Sequence, residues 1–182
     1  MVILLMGVSG SGKTTVGCLL AQRLEYHFAD ADDWHSDANR QKMSQGIPLS
    51  DGDRQPWLQA LHTSIENWIS ADENVVLACS ALKQSYRDQL AGPQMSKHPS
   101  KVQWVYLTGD YELIRQRLRN RTDHFMSDAL LKSQFEALEE PKDAIVVNID
   151  HDVETIVSAI ATHLESQVAS QECESQAFES QE

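Results

Sequence analysis

The nine residues "GVSGSGKTT" at positions 7–15 follow directly on the apolar run "VILLM" at 2–6, and a helical pattern begins within them. Gly7, Gly12, Lys13 and Thr14 fit the spacing G-x-x-x-x-G-K-[ST]. A strand, a glycine-rich turn and a helix in immediate succession leave little choice of architecture. The turn must sit at the carboxyl end of a buried strand, with its amides and the dipole of the next helix aimed at one anion. Gly7, Val8, Ser9, Gly10, Ser11, Gly12, Lys13, Thr14 and Thr15 together form the candidate nucleotide-binding segment. Lys13 would reach the β- and γ-phosphates, and the Thr14 hydroxyl would ligate Mg²⁺.

Four more short apolar runs follow: "YHFA" (26–29), "NVVLAC" (74–79), "VQWVYL" (102–107) and "AIVVNI" (144–149). Between them, apolar residues recur at helical spacing. Val16, Leu19, Leu20 and Leu24 share a face, as do Trp57, Leu61, Ile65, Trp68 and Ile69, and again Val153, Ile156, Val157, Ile160, Ala161 and Leu164. Strands alternating with helices imply an α/β fold, doubly wound around a parallel sheet. The tryptophans and isoleucines of these stripes read as core residues without chemistry. "GPQMSKHPSK" (92–101) reads as a loop, because Pro93 and Pro99 oppose regular structure.

The chain's 182 residues suit one domain of ordinary size. No apolar run approaches the roughly 18 residues of a membrane span, and "MVILLMG" lacks the basic leader and cleavage site of a signal peptide. A formal net charge of −12 argues against nucleic-acid or anionic-membrane partners, which need basic surface. Any anionic ligand must therefore be held locally. Cys18, Cys79 and Cys173 are odd in number and far apart, which suggests neither a disulfide framework nor a zinc site and points to a reducing cytoplasm. The sequence divides into a domain over 1–165 and an acidic, glutamate-rich stretch over 166–182 that reads as a disordered tail.

A phosphate loop alone does not decide the fate of the phosphate, since GTPases, motor ATPases and kinases share it. Here "NVVLAC" ends in Cys79 rather than in the Asp of a Walker-B strand. The Asp that directly follows an early strand lies in "FADADDWH" (28–35), which makes Asp30 the leading metal-side carboxylate. If the chain there stays extended, Asp32 falls on the same side as Asp30 and Asp33 on the opposite side. Asp32 is then placed to accept a proton from an acceptor hydroxyl.

The region 30–61, "DADDWHSDANRQKMSQGIPLSDGDRQPWLQAL", is dense in charges of both signs and suits a polyhydroxylated, anionic acceptor. It resembles the gluconate kinase family, whose members carry an Asp-Gly-Asp segment with a nearby His, then Lys-Met, Pro-Leu and Asp-Arg-x-Pro-Trp-Leu. In this chain the corresponding residues are Asp30-Ala31-Asp32, His35, Lys42-Met43, Pro48-Leu49 and Asp53-Arg54-Gln55-Pro56-Trp57-Leu58. The resemblance continues through "CSALKQSYRDQL" (79–90), "RLRNRTDHFM" (117–126) and "LLKSQFEALEEP" (130–141). It implies a P-loop kinase fold similar to shikimate kinase, with a five-stranded parallel sheet ordered 2-3-1-4-5 and a mobile lid at about 117–130. It also implies ATP-dependent phosphorylation of D-gluconate at its 6-hydroxyl and, as a family-level expectation, a homodimer. Ala31 stands where the family usually has Gly, Asp123 stands where Gly is common, and the glutamate-rich tail has no counterpart.

An acceptor carboxylate needs a cation, and Arg54, Lys42, Arg87 and His35 are the candidates. Arg54 and Arg87 are preferred for their bidentate geometry, with Ser80 and Lys83 beside them after the third strand. In "IRQRLRNRTDHF", Arg117 and Arg121 are four apart on one helical face and fit lid arginines that neutralise developing phosphate charge. His124 would cover the sugar acid. Adenine would lie near "NIDHDVE" (148–154) by analogy with related folds. Two other classes stay open at this point: a kinase of another small acceptor, such as shikimate or a nucleoside monophosphate, and a P-loop nucleotide-binding regulator without turnover.

Overall fold

The computed structural model describes residues 1–97, 101–120 and 128–179. Five strands, β1 (Val2–Met6), β2 (His27–Asp30), β3 (Val75–Ala78), β4 (Val102–Thr108) and β5 (Ile145–Asn148), form one parallel sheet in the order 2-3-1-4-5. Among the described residues seven α-helices connect and cover it: α1 (Lys13–Leu24), α2 (Asp37–Ser44), α3 (Asp51–Ser70), α4 (Gln84–Lys97), α5 (Tyr111–Arg119), α6 (Asp128–Ala137) and α7 (Val153–Glu179).

The central strand β1 is buried throughout because both its faces are covered. Ile3 and Leu5 face a core built with Val16 and Leu20 of α1, Ile114 of α5, and Ile156 and Ile160 of α7. Val2, Leu4 and Met6 face the second core, with Trp57, Leu58, Leu61 and Ile65 of α3 and Leu90 of α4. Period-two alternation in one strand thus feeds two helical layers. Strand order switches at β1, whose neighbours are β3 and β4, so the carboxyl edge of the sheet opens into a crevice directly under the phosphate loop.

Two local expectations change. Residues 31–34 leave the extended conformation and form a 3₁₀ turn, Ala31–Trp34, whose N-cap is Asp30. The stretch beginning at Gly92 is not simply a loop: α4 kinks at Gly92 (φ 54°, ψ −170°) and resumes to Lys97. His62 packs so closely on Gly92 that a Cβ there would lie 2.3 Å from its ring, so close packing as well as backbone strain selects glycine. The α7 backbone runs from Val153 to Glu179 and so extends into the acidic stretch. That stretch has no Gly or Pro to interrupt a helix, and its sequence offers no apolar stripe comparable to residues 153–164.

Candidate active site

The phosphate loop adopts the path its glycines allow. Gly7, Gly10 and Gly12 have φ of 143°, 85° and 94°, and a Cβ on Gly7 would lie 2.7 Å from the Leu107 carbonyl oxygen of β4. Lys13 Nζ folds back over the loop and donates to the carbonyls of Gly7 (3.0 Å) and Val8 (3.1 Å). Ser11 Oγ is buried and has no hydrogen-bond partner among the described residues. Thr14 Oγ1, at the start of α1, donates to Asp30 Oδ2 at the end of β2 (2.9 Å). Thr15 is exposed, one position further along the helix.

Two adjoining cavities meet at this loop. The smaller, about 160 Å³, is lined by Ser9, Gly10, Gly12, Lys13, Thr14, Asp30, Asp32, Ala78 and Ser80. Its walls offer a cation, a hydroxyl and a carboxylate side by side, which suits phosphate groups carrying a divalent ion. Among the described residues no cluster of three or more His, Cys, Asp or Glu could hold a metal alone. A magnesium site of one hydroxyl, one water-bridged carboxylate and substrate phosphates needs no such cage.

The larger cavity, about 470 Å³, lies between the α2–α3 segment and α6. Asp32, His35, Arg54, Ser80 and Lys83 line it, with Trp57, Tyr86 and Gln134. Ser9, Asp32 and Ser80 border both cavities, so the passage between them runs past these three side chains.

Asp32 stands in this passage for a reason other than strand alternation. The Asp30 side chain accepts the Asp32 backbone N–H (3.2 Å), starting the 3₁₀ turn that lifts Asp32 into the crevice. The Asp32 side chain remains 82% exposed, open to the water of the cleft. Partial desolvation by the cleft walls, then repulsion from Asp30, push its pKa upward; with so much water contact, the Asp30 carboxylate is the firmer of the two causes. Asp33 is exposed and borders neither cavity.

His35 does not serve as a cation. Its side chain is 5% exposed and stacks on Trp57, with ring centroids 4.6 Å apart and planes at 11°. Burial first, then Arg54 and Arg40, lower its pKa to about 4, so the ring is neutral at physiological pH. Nε2 lies 3.8 Å from Asp32 Oδ1, while Nδ1 is buried without a partner. A proton on Nε2 is the favoured tautomer, because it turns the N–H toward a carboxylate and leaves only a lone pair buried. Trp57, read from the sequence as core alone, therefore has a second role; its own Nε1 donates to the Ala31 carbonyl at 2.7 Å and fixes the turn.

The sign of the resulting pH dependence follows directly. Between pH 6.5 and 4 the unfolded chain protonates this histidine and the folded chain does not. Stability contributed by the neutral ring is complete above about pH 6.5 and is lost as pH falls toward 4, by on the order of 3 kcal/mol. Proton NMR of the His35 ring should give a titration midpoint near 4, and replacing Trp57 by alanine should move it upward; a midpoint near 6.5 in the parent would contradict the buried, neutral assignment.

The cation candidates separate cleanly. Arg54 borders the larger cavity, donates to the Leu49 carbonyl and lies over the Tyr86 ring at 5.8 Å. Lys83 borders it too, paired at 3.0 Å with Asp51, which also accepts from Tyr86 Oη. Lys42 is instead bound to Asp53 at 2.7 Å. Asp53 belongs to the capping box that starts α3 with Ser50, and Lys42 is the main reason its carboxyl lies far below the usual range. Arg87 is 3% exposed and borders neither cavity. Its guanidinium donates to the carbonyls of Ala81 (2.9 Å) and Leu82 (3.0 Å), clamping a loop in which Ala81 holds φ at +41°. The sequence contained no sign that Arg87 would turn inward.

On the opposite flank, Arg117 Nη2 donates to the Ile149 carbonyl at 2.7 Å and ties α5 to the loop after β5. Arg121 and His124, expected in the lid, lie outside the described residues. Cys79 is fully buried beside the site and burial pushes its thiol pKa up to about 12, so it is a packing residue without nucleophilic character. Asp51, Tyr86 and Gln134 were missed by sequence reasoning; all three lie within the segments that carry the family resemblance, which was the available signal.

Comparison with known proteins agrees with this geometry. A family model described as an AAA domain matches residues 2–141. The chain is 46% identical over 174 residues to a probable gluconokinase of Mus musculus, covering 87% of this chain and 95% of that protein. It is 46% identical over 157 residues to the thermosensitive gluconokinase of Escherichia coli K12, covering 84% and 81%. The crystal structure of a gluconokinase from Sinorhizobium meliloti 1021 superposes with a TM-score of 0.83 at 38% identity, covering 95% of this chain and 96% of that one. With a phosphate loop at the switch point of a 2-3-1-4-5 sheet, an acidic turn after β2 and relatives of this identity over most of its length, the chain belongs to the gluconokinase family of P-loop kinases.

Proposed function

We propose that this protein transfers the γ-phosphoryl group of ATP to the 6-hydroxyl of D-gluconate, giving 6-phospho-D-gluconate and ADP. The observation that carries the reading is the meeting of a phosphate-sized cavity and a sugar-acid-sized cavity at Asp32. Phosphoryl transfer asks a protein chiefly to hold donor and acceptor in line and to offset charge. In this reading Lys13 and the loop amides hold the phosphates, and Asp32 takes the proton of the attacking hydroxyl. Thr14 and, through water, Asp30 would hold Mg²⁺, which would supply positive charge to offset that of the phosphates. Arg117 works on the nucleotide side and Arg121 on the transferred group. Product identification tests the reading: phosphorus NMR of the reaction mixture should show a phosphate ester on C6 of gluconate.

Arg54 and Lys83 are the cations for the acceptor carboxylate, with the neutral His35 and Ser80 as hydrogen-bonding partners for its hydroxyls. Arg54→Ala should raise the KM for gluconate about 10–100-fold, the worth of one charge-assisted hydrogen bond, and leave the KM for ATP nearly unchanged. An equal rise in both values would move Arg54 out of the acceptor site. Arg87→Ala should instead lower Tm, because it releases the Ala81–Leu82 clamp. No helix among the described residues is long and apolar enough to cross a membrane, and Cys18 and Cys79 are free thiols; a cytoplasmic location fits both. Sedimentation at assay concentration tests the homodimer expected of the family.

A further inference from the structure

The helix that closes the acceptor cavity holds the phosphate loop by one side chain. Gln134 Oε1 of α6 accepts the backbone N–H of Ser9 at 2.7 Å, and Gln134 Nε2 donates to Ser9 Oγ at 3.0 Å. Among the described residues, Ser9 is one of three that border both cavities. It precedes Gly10, whose φ of 85° lets the loop turn but does little to fix the Ser9 peptide. The two bonds from Gln134 supply that constraint.

The helix α6 is itself anchored at both ends. Asp128 at its start accepts from Arg115 (2.7 Å) and Arg119 (3.0 Å) of α5. Just past its end, Glu139 N–H donates to the Leu82 carbonyl (2.9 Å), and Glu139 Oε2 accepts the Gln84 N–H (2.6 Å). Between these anchors, Leu130, Ser133, Gln134 and Ala137 face the acceptor cavity. An acceptor packed against that wall presses on the same helix that holds Ser9.

We propose that Gln134 is a positioning residue that couples occupation of the acceptor cavity to the geometry of the phosphate loop at Ser9. The inference rests on the kinase reading of this site. A neutral amide suits the position, because it offers an acceptor and a donor at once and brings no negative charge to a place where phosphate must bind. Binding of nucleotide alone relies on Lys13 and the remaining loop amides. The Gln134 contact serves alignment for transfer.

The test combines Gln134→Ala and Gln134→Glu with steady-state kinetics and calorimetric binding of a non-hydrolysable ATP analogue, with and without gluconate. Gln134→Ala is expected to keep Tm and analogue affinity without gluconate near parental values, to lower kcat about 10–100-fold, and to abolish the tightening of the analogue by gluconate. Gln134→Glu should keep the Ser9 N–H contact and, by its charge, weaken analogue binding even without gluconate. If Gln134→Ala folds poorly, Ser9→Ala replaces it, since it removes only the Oγ contact; a smaller loss of kcat and of coupling is then expected. Parental kcat and intact coupling in these variants would overturn the proposal, as would a fall in kcat that tracks Tm and analogue affinity alone. Parental turnover of gluconate in the same assay distinguishes the two readings. An inactive parent removes both, whereas an active parent with an unaffected Gln134→Ala removes only the positioning role.

Discussion

Lys13→Ala is expected to lower kcat/KM for ATP-dependent phosphorylation by about 10²–10³-fold or more, with most of the loss in kcat. The ammonium group donates to the Gly7 and Val8 carbonyls at 3.0 and 3.1 Å, so its pivot already lies over the mouth of the smaller cavity. A short swing carries it to a phosphate oxygen, where its charge counts most as negative charge redistributes in the transition state. Removal also takes a donor from two loop carbonyls, so part of the effect comes from a less ordered loop. Lys13→Arg separates the two contributions. It restores the charge but not the compact ammonium, and should recover only a fraction of the activity. Steady-state kinetics with a parallel Tm measurement checks this; near-parental kcat in a folded Lys13→Ala enzyme would contradict the assignment.

Asp32→Asn is the second large effect, expected to reduce kcat about 10²–10⁴-fold, the range for loss of a general base. The substitution keeps the shape and the hydrogen-bonding reach, so the KM for gluconate should change far less than kcat. The pH profile adds a sharper criterion. Desolvation by the cleft walls and the neighbouring Asp30 raise the Asp32 pKa, so as pH falls the base protonates earlier than an ordinary carboxylate and kcat falls with it. The residual activity of Asp32→Asn should lack that acid limb. An unchanged acid limb in the variant would assign it to another group.

Much of the scaffold was legible because it follows from periodicity. The strands are short, mostly apolar runs; the three central ones, β3, β1 and β4, are buried by two helical layers while the edge strands β2 and β5 are only partly covered, and such runs have few alternatives once a phosphate loop fixes the first turn. What periodicity could not supply is where each polar side chain turns. Asp32 reaches the cleft through a 3₁₀ turn capped by Asp30, although strand alternation also pointed it there. Arg54 and Arg87 are alike as residue types, yet one borders the acceptor cavity and the other is consumed by the carbonyls of a strained loop. Lys42 is drawn away by Asp53, whose first obligation is to cap α3. His35 loses its charge because Trp57 covers it and two arginines lie near, and those contacts join residues 19 to 22 positions apart or belong to another element. Gln134 contacts Ser9 across 125 residues of sequence, a pairing that no local pattern encodes.

The most direct test of the central claim is ATP-coupled turnover against a panel of D-gluconate, other sugar acids, shikimate and nucleoside monophosphates. Two cavities joined at Asp32, with Arg54 and Lys83 facing the acceptor, predict a kcat/KM for D-gluconate at least about 100-fold above that for any other member of the panel. Phosphorylation of a nucleoside monophosphate or of shikimate without turnover of gluconate would contradict the account, and so would tight ATP binding with no phosphoryl transfer to any acceptor.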